Sequence, residues 1–299
     1  MTGYQHPAYA RSLAEFGTPR HLRSSDGWLL QRTIPGSAAQ DAMGCYPVFA
    51  CREWTALGED LDAASDLVSI VLVADPFGQH TRELLEHQFD LVRPFKQHFV
   101  TEYRAGAIDN VSRHHRYHAR RALREVEVER CEDPRAFLDD WCVLYEALVQ
   151  RHQLTGIKAF SRTAFALQLR VPGTVIFRAV HGGRTIAAHW YYVQGDVCYS
   201  HLAAQNDEGY ARSAAYALHW HALHAFSRDV RWLTHGAAAG ALDSSQDGLV
   251  RFKRGWSNAC RTAYLCGRIP NRGAYERLMQ DRSAGAAHYF PLYREGELA

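Results

Sequence analysis

Residues 174–204 restrict this chain most. Thr174-Val-Ile-Phe-Arg-Ala-Val-His181 is rich in β-branched and aromatic residues and is followed by Gly182-Gly183, a strong two-residue hairpin signal. Arg184 to Val193 reads as a second strand. Gln194-Gly195-Asp196 turns the chain again, and Val197 to Ala204 is a third strand. A polar, glycine-broken stretch, Gln205-Asn-Asp-Glu-Gly-Tyr-Ala211, leads into an alanine-rich helix ending near Phe226. A further strand, Val230-Arg-Trp-Leu-Thr-His235, comes after it. An antiparallel meander feeding a helix and then another strand excludes all-helical and all-β architectures.

The first hundred residues mix the same elements. The pattern predicts a helix over residues 7–16, strands over 28–34 and 46–51, and a helix over 53–64. Leu67 to Val73 reads as a buried central strand, followed by a helix near 81–89 and a strand over 92–103. Pro47 suits an edge or a strand start. Residues 108–125 read as a basic helix, with five arginines and three histidines between Ser112 and Arg124. A solvated face, an anion site for a phosphate-bearing donor or tRNA, and metal binding by His114 and His118 all remain open for it; no carboxylate or cysteine stands at a spacing that would finish a metal site. Asp133-Pro134 starts a helix that runs to about His152, with Gly156 as its stop.

The order of elements resembles the acyl-transfer core of the GNAT superfamily, and more closely the branch containing the Fem-family transferases. The hairpin at Gly182-Gly183, the helix from Ala211 to Phe226 and Asp247-Gly-Leu-Val-Arg-Phe-Lys-Arg-Gly-Trp256 carry the likeness. A Phe-Lys pair followed by a glycine and an aromatic residue recurs in that branch, and Phe252-Lys253 matches it. The resemblance implies an α/β (α+β) protein of tandem GNAT-like domains, with mostly antiparallel central sheets flanked by helices. The expected division is 1–108, a degenerate GNAT-like domain, and 109–299, the acyltransferase domain, with the join somewhere in 105–130.

The implied activity is N-acyl transfer from acyl-coenzyme A or aminoacyl-tRNA as co-substrate, with no tightly bound cofactor, to an amine of a small molecule, sugar or peptide. A non-catalytic binding protein that kept the fold is the alternative. The resemblance puts Lys253 beside the reacting carbonyl, where a cation stabilises the tetrahedral oxyanion, with Phe252 positioning it and Arg251 and Arg254 available for phosphate. His235 and Asp247 are the candidate bases. Gly209 and Tyr210, at the turn before the long helix, are expected at the donor, because a helix N-terminus attracts anions; Asp207 and Glu208 add negative charge there, which opposes a pyrophosphate. Trp190 and Tyr192 are offered as groove residues. His189 and His201 are weaker candidates, and His219, His221 and His224 read as structural.

Composition narrows the field further. A net charge of +2 does not make the whole chain an electrostatic partner for nucleic acid. Only Lys96, Lys158 and Lys253 are lysines among 34 basic residues, which singles out Lys253. Seven scattered cysteines with no Cys-x-x-Cys argue against a disulfide framework or structural zinc. No apolar run of membrane-spanning length and no signal-peptide pattern occurs, so the expected compartment is the cytoplasm and no membrane partner is expected. Walker, Gly-x-Ser-x-Gly and dinucleotide fingerprints are absent.

Overall fold

Both tight turns of the meander need backbone that L-residues with side chains avoid. Gly182 and Gly183 have φ of 54° and 75°, and Gly195 has 59°. The strands they join appear as read. The computed structural model describes residues 1–105, 108–238, 248–280 and 289–297. The strands are β1 (Thr18–Leu22), β2 (Gly27–Thr33), β3 (Gln40–Gly44), β4 (Ile70–Val73), β5 (Leu91–Glu102), β6 (Glu127–Arg130), β7 (Thr174–His181), β8 (Arg184–Gln194), β9 (Val197–Gln205), β10 (Trp232–Thr234) and β11 (Ala259–Arg268). The helices are α1 (Pro7–Ser12), α2 (Leu57–Ala63), α3 (Arg82–Gln88), α4 (Arg113–Ala122), α5 (Leu138–His152), α6 (Arg162–Gln168), α7 (Asp207–Ala211), α8 (Ala214–Ala225), α9 (Gly248–Arg254) and α10 (Arg272–Met279).

The chain divides into two compact units, residues 1–8 with 97–261, and residues 9–96 with 262–299. In the first, the strand order is β5-β10-β9-β8-β7-β6. All neighbours are antiparallel except β9 and β10, which run parallel and are joined through α7 and α8. In the second, β1-β2-β3 is antiparallel, β3 and β4 run parallel through α2, and β11 lies antiparallel beside β4. Each unit is thus a meander, a parallel neighbour reached through helix, and one antiparallel strand. This is the tandem GNAT-like plan, with mostly antiparallel sheets flanked by helices. The closing strand of each unit comes from the other half of the sequence: β5 is drawn in from Gln97 onward, and β11 from Thr262 onward.

Period-two alternation on β8 separates two cores. Tyr191 faces α8, with its ring 5.2 Å from that of Phe226. Trp190 faces α5 and α6, 5.4 Å from Trp141. Between these two residues the register with β9 shifts: Tyr191 pairs with Ser200 but Trp190 with Leu202, leaving His201 as a bulge.

Several elements differ from the sequence reading. The strand expected over 46–51 is instead β3, because the hairpin after Pro35-Gly36 registers Gln40 against Thr33 and Gly44 against Leu29. Pro47 has no N–H to donate, and Phe49 makes only an isolated bridge to Ala74. Residues 18–22, between the expected helix and the first expected strand, pair with β2 as β1. The basic helix is shorter than 108–125 because Ser112 caps it, accepting the His115 N–H. Helix α5 ends on Gln153 in the left-handed region, φ 49°, three residues before the glycine expected to stop it. Among the described residues no helix is long and apolar enough to cross a membrane.

In the unit of residues 9–96 and 262–299, Arg294 donates to both oxygens of Asp41, at 2.6 and 2.9 Å, and to the Thr33 carbonyl. Their side chains are only 5% and 1% exposed. Such a pair is costly to break, because the surviving charge stays buried. Arg32 lies 3.6 Å from Asp41 and compensates in part. Arg294→Ala is expected to destabilise this unit by about 3 kcal/mol, read as a lowered urea midpoint; an unchanged midpoint would show that the pair contributes nothing.

Candidate functional site

Strands β9 and β10 part company early. They pair only over Val197–Tyr199 and Trp232–Thr234, while β9 runs on beside β8 to Gln205. Beyond Tyr199, no strand among the described residues pairs with β9 on the β10 side, so a cleft opens between the ends of the two strands. The cleft receives the end of β9, the start of α7, one face of α8 and the segment after β10. Helix α7 starts where Asn206 accepts the Gly209 N–H at 2.9 Å. Gly209 is buried, and a Cβ there would lie 2.5 Å from the Ile186 carbonyl, so only glycine lets the turn pack on β8. A cavity of about 60 Å³ sits here, lined among others by His189, Tyr210, Ala215 and His219.

Three imidazoles meet in this region. The His189 ring lies 4.5 Å from His219, and His219 stacks on His235 at 5.8 Å. Hydrogen bonds fix the tautomers of two of them. His219 must donate from Nδ1, because its partner there is the Ala215 carbonyl at 2.9 Å; its basic nitrogen is Nε2. Thr101 gives its one hydroxyl proton to the Trp256 carbonyl, so it accepts from His235 Nε2 at 2.9 Å, which leaves Nδ1 as that ring's basic nitrogen. His189 is bonded by Tyr191 Oη at Nδ1 and by Ser200 Oγ at Nε2. Burial, and then the charge of Lys253, pushes His219 down to about 3. Burial above all holds His189 and His235 well below the usual histidine range, with neighbouring imidazoles and Lys253 adding to it.

Lys253 is half-buried on α9 and donates to the Ala237 carbonyl at 2.6 Å. Gly236, with φ 75°, lets the chain approach: a Cβ there would come within 3.3 Å of Nζ. Helix α9 is fixed from α4. His115 Nε2 donates to the Phe252 carbonyl at 2.9 Å, and the Ser112 amide donates to the Gly255 carbonyl at 3.0 Å. A Cβ at Gly255 would lie 2.1 Å from the His115 ring, which explains the glycine two residues after the lysine. Trp256 is fully buried beneath. The Phe252 ring lies edge-on to His219 at 4.8 Å and to Tyr216 at 4.9 Å.

A family model described as an acetyltransferase (GNAT) domain matches residues 110–254. This region is a GNAT acyltransferase domain. Solved structures extend the likeness of fold to nearly the whole chain. The crystal structure of FemX is 14% identical and has a TM-score of 0.69, over 93% of this chain and 95% of that one. The C-terminal domain of a putative lysylphosphatidylglycerol synthetase from Agrobacterium fabrum is 12% identical, with a TM-score of 0.62, over 91% and 90%. L-PGS from Bacillus licheniformis is 13% identical, with a TM-score of 0.59, over 92% and 94%. The fold is shared with these structures over nearly the whole chain. Comparison with curated proteins gives no match.

Within the GNAT domain the structure brings together Lys253, Phe252 and His235, and places Tyr210 at the cavity, with Gly209 packed beside it on the Ile186 carbonyl. Asp247 lies outside the described residues. Arg251 and Arg254 are exposed, and Arg254 stands 6.0 Å over the Phe99 ring. Trp190 and Tyr192 are not at this site. The pleat of β8 turns them to the opposite face, where both are fully buried with Trp141 and Tyr4. His201 is on that face too, bonded to Tyr4 and Gln168. The negative charge expected of Asp207 and Glu208 is offset: Asp207 pairs with Arg151, and Glu208 with Arg184 and Arg212. Among the described residues no cluster is placed to hold a metal ion.

His219, read from the sequence as structural with His221 and His224, lies three residues before Ala222 and four before Leu223, a spacing that puts it on the buried face of α8.

Because the folded pKa of His219 is depressed from 6.5 to about 3, its contribution to stability is complete above pH 6.5 and is lost as the pH falls from there toward 3. His219→Gln is therefore expected to flatten the stability–pH curve between about pH 6 and 4 by up to ~1.4 kcal/mol per pH unit. Urea unfolding across that range checks this, and an unchanged slope would mean that His219 titrates alike folded and unfolded.

Proposed function

We propose that the domain transfers an acyl group from an activated donor to an amine, with Lys253 stabilising the oxyanion. The observation that carries this reading is the Lys253 ammonium, half-buried beside neutral, tautomer-locked imidazoles at the mouth of the parted strands. An oxyanion forming there would meet a cation already half-buried and held by the Ala237 carbonyl, which is worth several kcal/mol in the transition state. Phe252 excludes water and packs the lysine's helix onto His219. An amine that attacks must shed a proton. His219, read from the sequence as structural, lines the cavity, and the candidate base His235 is stacked on it. A base with so low a pKa stores no proton at neutral pH, so it serves as acceptor only while the oxyanion is present to raise it. Asp247 stays a candidate for relaying the proton onward.

The donor is a coenzyme A thioester or an aminoacyl-tRNA. The first turn of α7 is capped by its own Asn206, which occupies an amide that a pyrophosphate would use. That favours the aminoacyl donor. No tightly bound cofactor is needed for either. The acceptor is an amine of a small molecule, sugar or peptide; the likeness to a lysylphosphatidylglycerol synthetase structure adds a lipid acceptor to those worth testing. Residues 109–299 are proposed to carry the chemistry.

Lys253→Ala is expected to lower kcat by about 10²–10³ with little change in stability. Lys253→Arg should not rescue it, because a planar guanidinium does not fit a point-charge site. Acyl transfer from thioester and charged-tRNA donors to an amine panel measures this. Full activity in Lys253→Ala would remove the lysine from the mechanism. A wild-type chain inert with every donor would favour the binding-protein reading.

A further inference from the structure

Gln205 is the last residue of β9 and pairs with Ala187 of β8. Directly paired residues share a face of the sheet, and so do Ala187 and His189, two apart on one strand. Gln205 therefore lies on the face from which the His189 ring meets His219 of α8. Its stem is held from above, because a Cβ placed on Gly209 would lie 3.0 Å from the Gln205 Cβ. Gln205 lines the cavity with His189, Tyr210 and His219, and alanine and leucine residues supply the rest of the wall. The carboxamide Oε1 is buried, yet it accepts no hydrogen bond among the described residues. Buried acceptors are nearly always paired, because losing water without a replacement donor is costly. The polar groups around it are committed elsewhere. His219 gives its N–H to the Ala215 carbonyl, His189 is bonded at both ring nitrogens, and the Tyr210 hydroxyl lies 3.3 Å from His152 Nε2. None of the lining residues is a carboxylate, so the wall suits an uncharged N–H better than an ammonium.

We infer that Gln205 positions the attacking amine, its Oε1 accepting one N–H of a primary amine while the other N–H is given up in the reaction. This rests on the acyl-transfer reading and narrows its acceptor class. A carboxamide oxygen accepts hydrogen bonds but is too weak a base to take a proton, so Gln205 is a positioning residue. As the amine nitrogen bonds to the acyl carbon it becomes positive and carries two hydrogens. One passes to a base at the site and then to the leaving sulfur or oxygen, as the bond from that atom to the acyl carbon breaks. The other remains on nitrogen, hydrogen-bonded to Gln205, in the amide product. A secondary amine has a single hydrogen, which the transfer consumes, and it leaves Oε1 unpaired. A site built around such a hydrogen bond discriminates against the partner that lacks it.

The test is acyl transfer by the full chain to butylamine and to N-methylbutylamine, run with an acetyl and an alanyl thioester of the same thiol. Wild type should favour the primary amine in kcat/KM. Gln205→Leu should lose about tenfold with the primary amine and nothing with the secondary one, so the preference collapses; a purely structural role would lower both alike. Gln205→Glu keeps an acceptor oxygen and should retain the preference. Thermal melts confirm that both variants fold. Binding is read without turnover, from the NMR shift of the His219 ring on titration with trifluoroethylamine, which is uncharged at neutral pH, and with its N,N-dimethyl derivative, which has no N–H. Wild type should bind the first about tenfold more tightly, and Gln205→Leu should bind the two alike. If no donor supports turnover, the acyl-transfer reading fails, and the binding arm still decides whether Gln205 takes an amine N–H. Equal losses with both acceptors, equal binding of the two titrants by wild type, or an effect of Gln205→Leu that follows the α-amine of the donor and not the acceptor would each overturn the assignment.

Discussion

Three imidazoles buried beside a half-buried lysine cannot all be charged, and around His219 the histidines stay neutral. Burial does most of this by disfavouring charge on His189, His219 and His235, and the lysine charge reinforces it. The hydrogen bonds then select the neutral tautomer of His219 and of His235. Ala215 takes the Nδ1 proton of His219, and the Thr101 hydroxyl, committed to Trp256, accepts from Nε2 of His235. One cation beside fixed dipoles is an arrangement that costs little reorganisation when negative charge appears nearby.

The rest of the domain holds that arrangement in place through close approaches. Gly255 lies against the His115 ring, Gly209 against the Ile186 carbonyl, and Gly236 near the lysine ammonium. A methyl group at Gly255 or Gly209 would collide, so backbone without side chains is the means by which α9 and α7 reach their positions. Helix α4 is the brace. Its buried side, with His115, Ala119 and Ala122, fixes α9 and α8, while its outer side carries arginines. Buried and charged side chains thus fall on opposite faces of one ten-residue helix.

Much of this was legible in the chain. The glycine pairs and β-branched runs of 174–204 define a meander by local conformation alone, and the Phe-Lys-Arg-Gly-Trp run marks the lysine. What local pattern could not show was which unit a strand joins. Strands β5 and β11 read as strands or not at all from their own residues, while their pairing partners lie far along the sequence. The face of a residue was equally hidden where neighbours look alike: His189, Trp190, Tyr191 and Tyr192 are all aromatic, and only the register of β8 against β9, with the β9 bulge at His201, decides which two look toward α8. His219 shows the converse. The helical period did contain its placement, but a histidine among alanines and leucines carries the same signal as a packed core residue.

The most direct test of the account is an NMR titration of the histidine side chains in wild type and in Lys253→Met. The account predicts that His219 in wild type remains neutral, with its proton on Nδ1, down to a pH near 3, and that removing the lysine charge moves its titration upward. An ordinary titration near 6.5 that ignores the substitution would contradict it, because the ammonium and the imidazoles would then not share one environment.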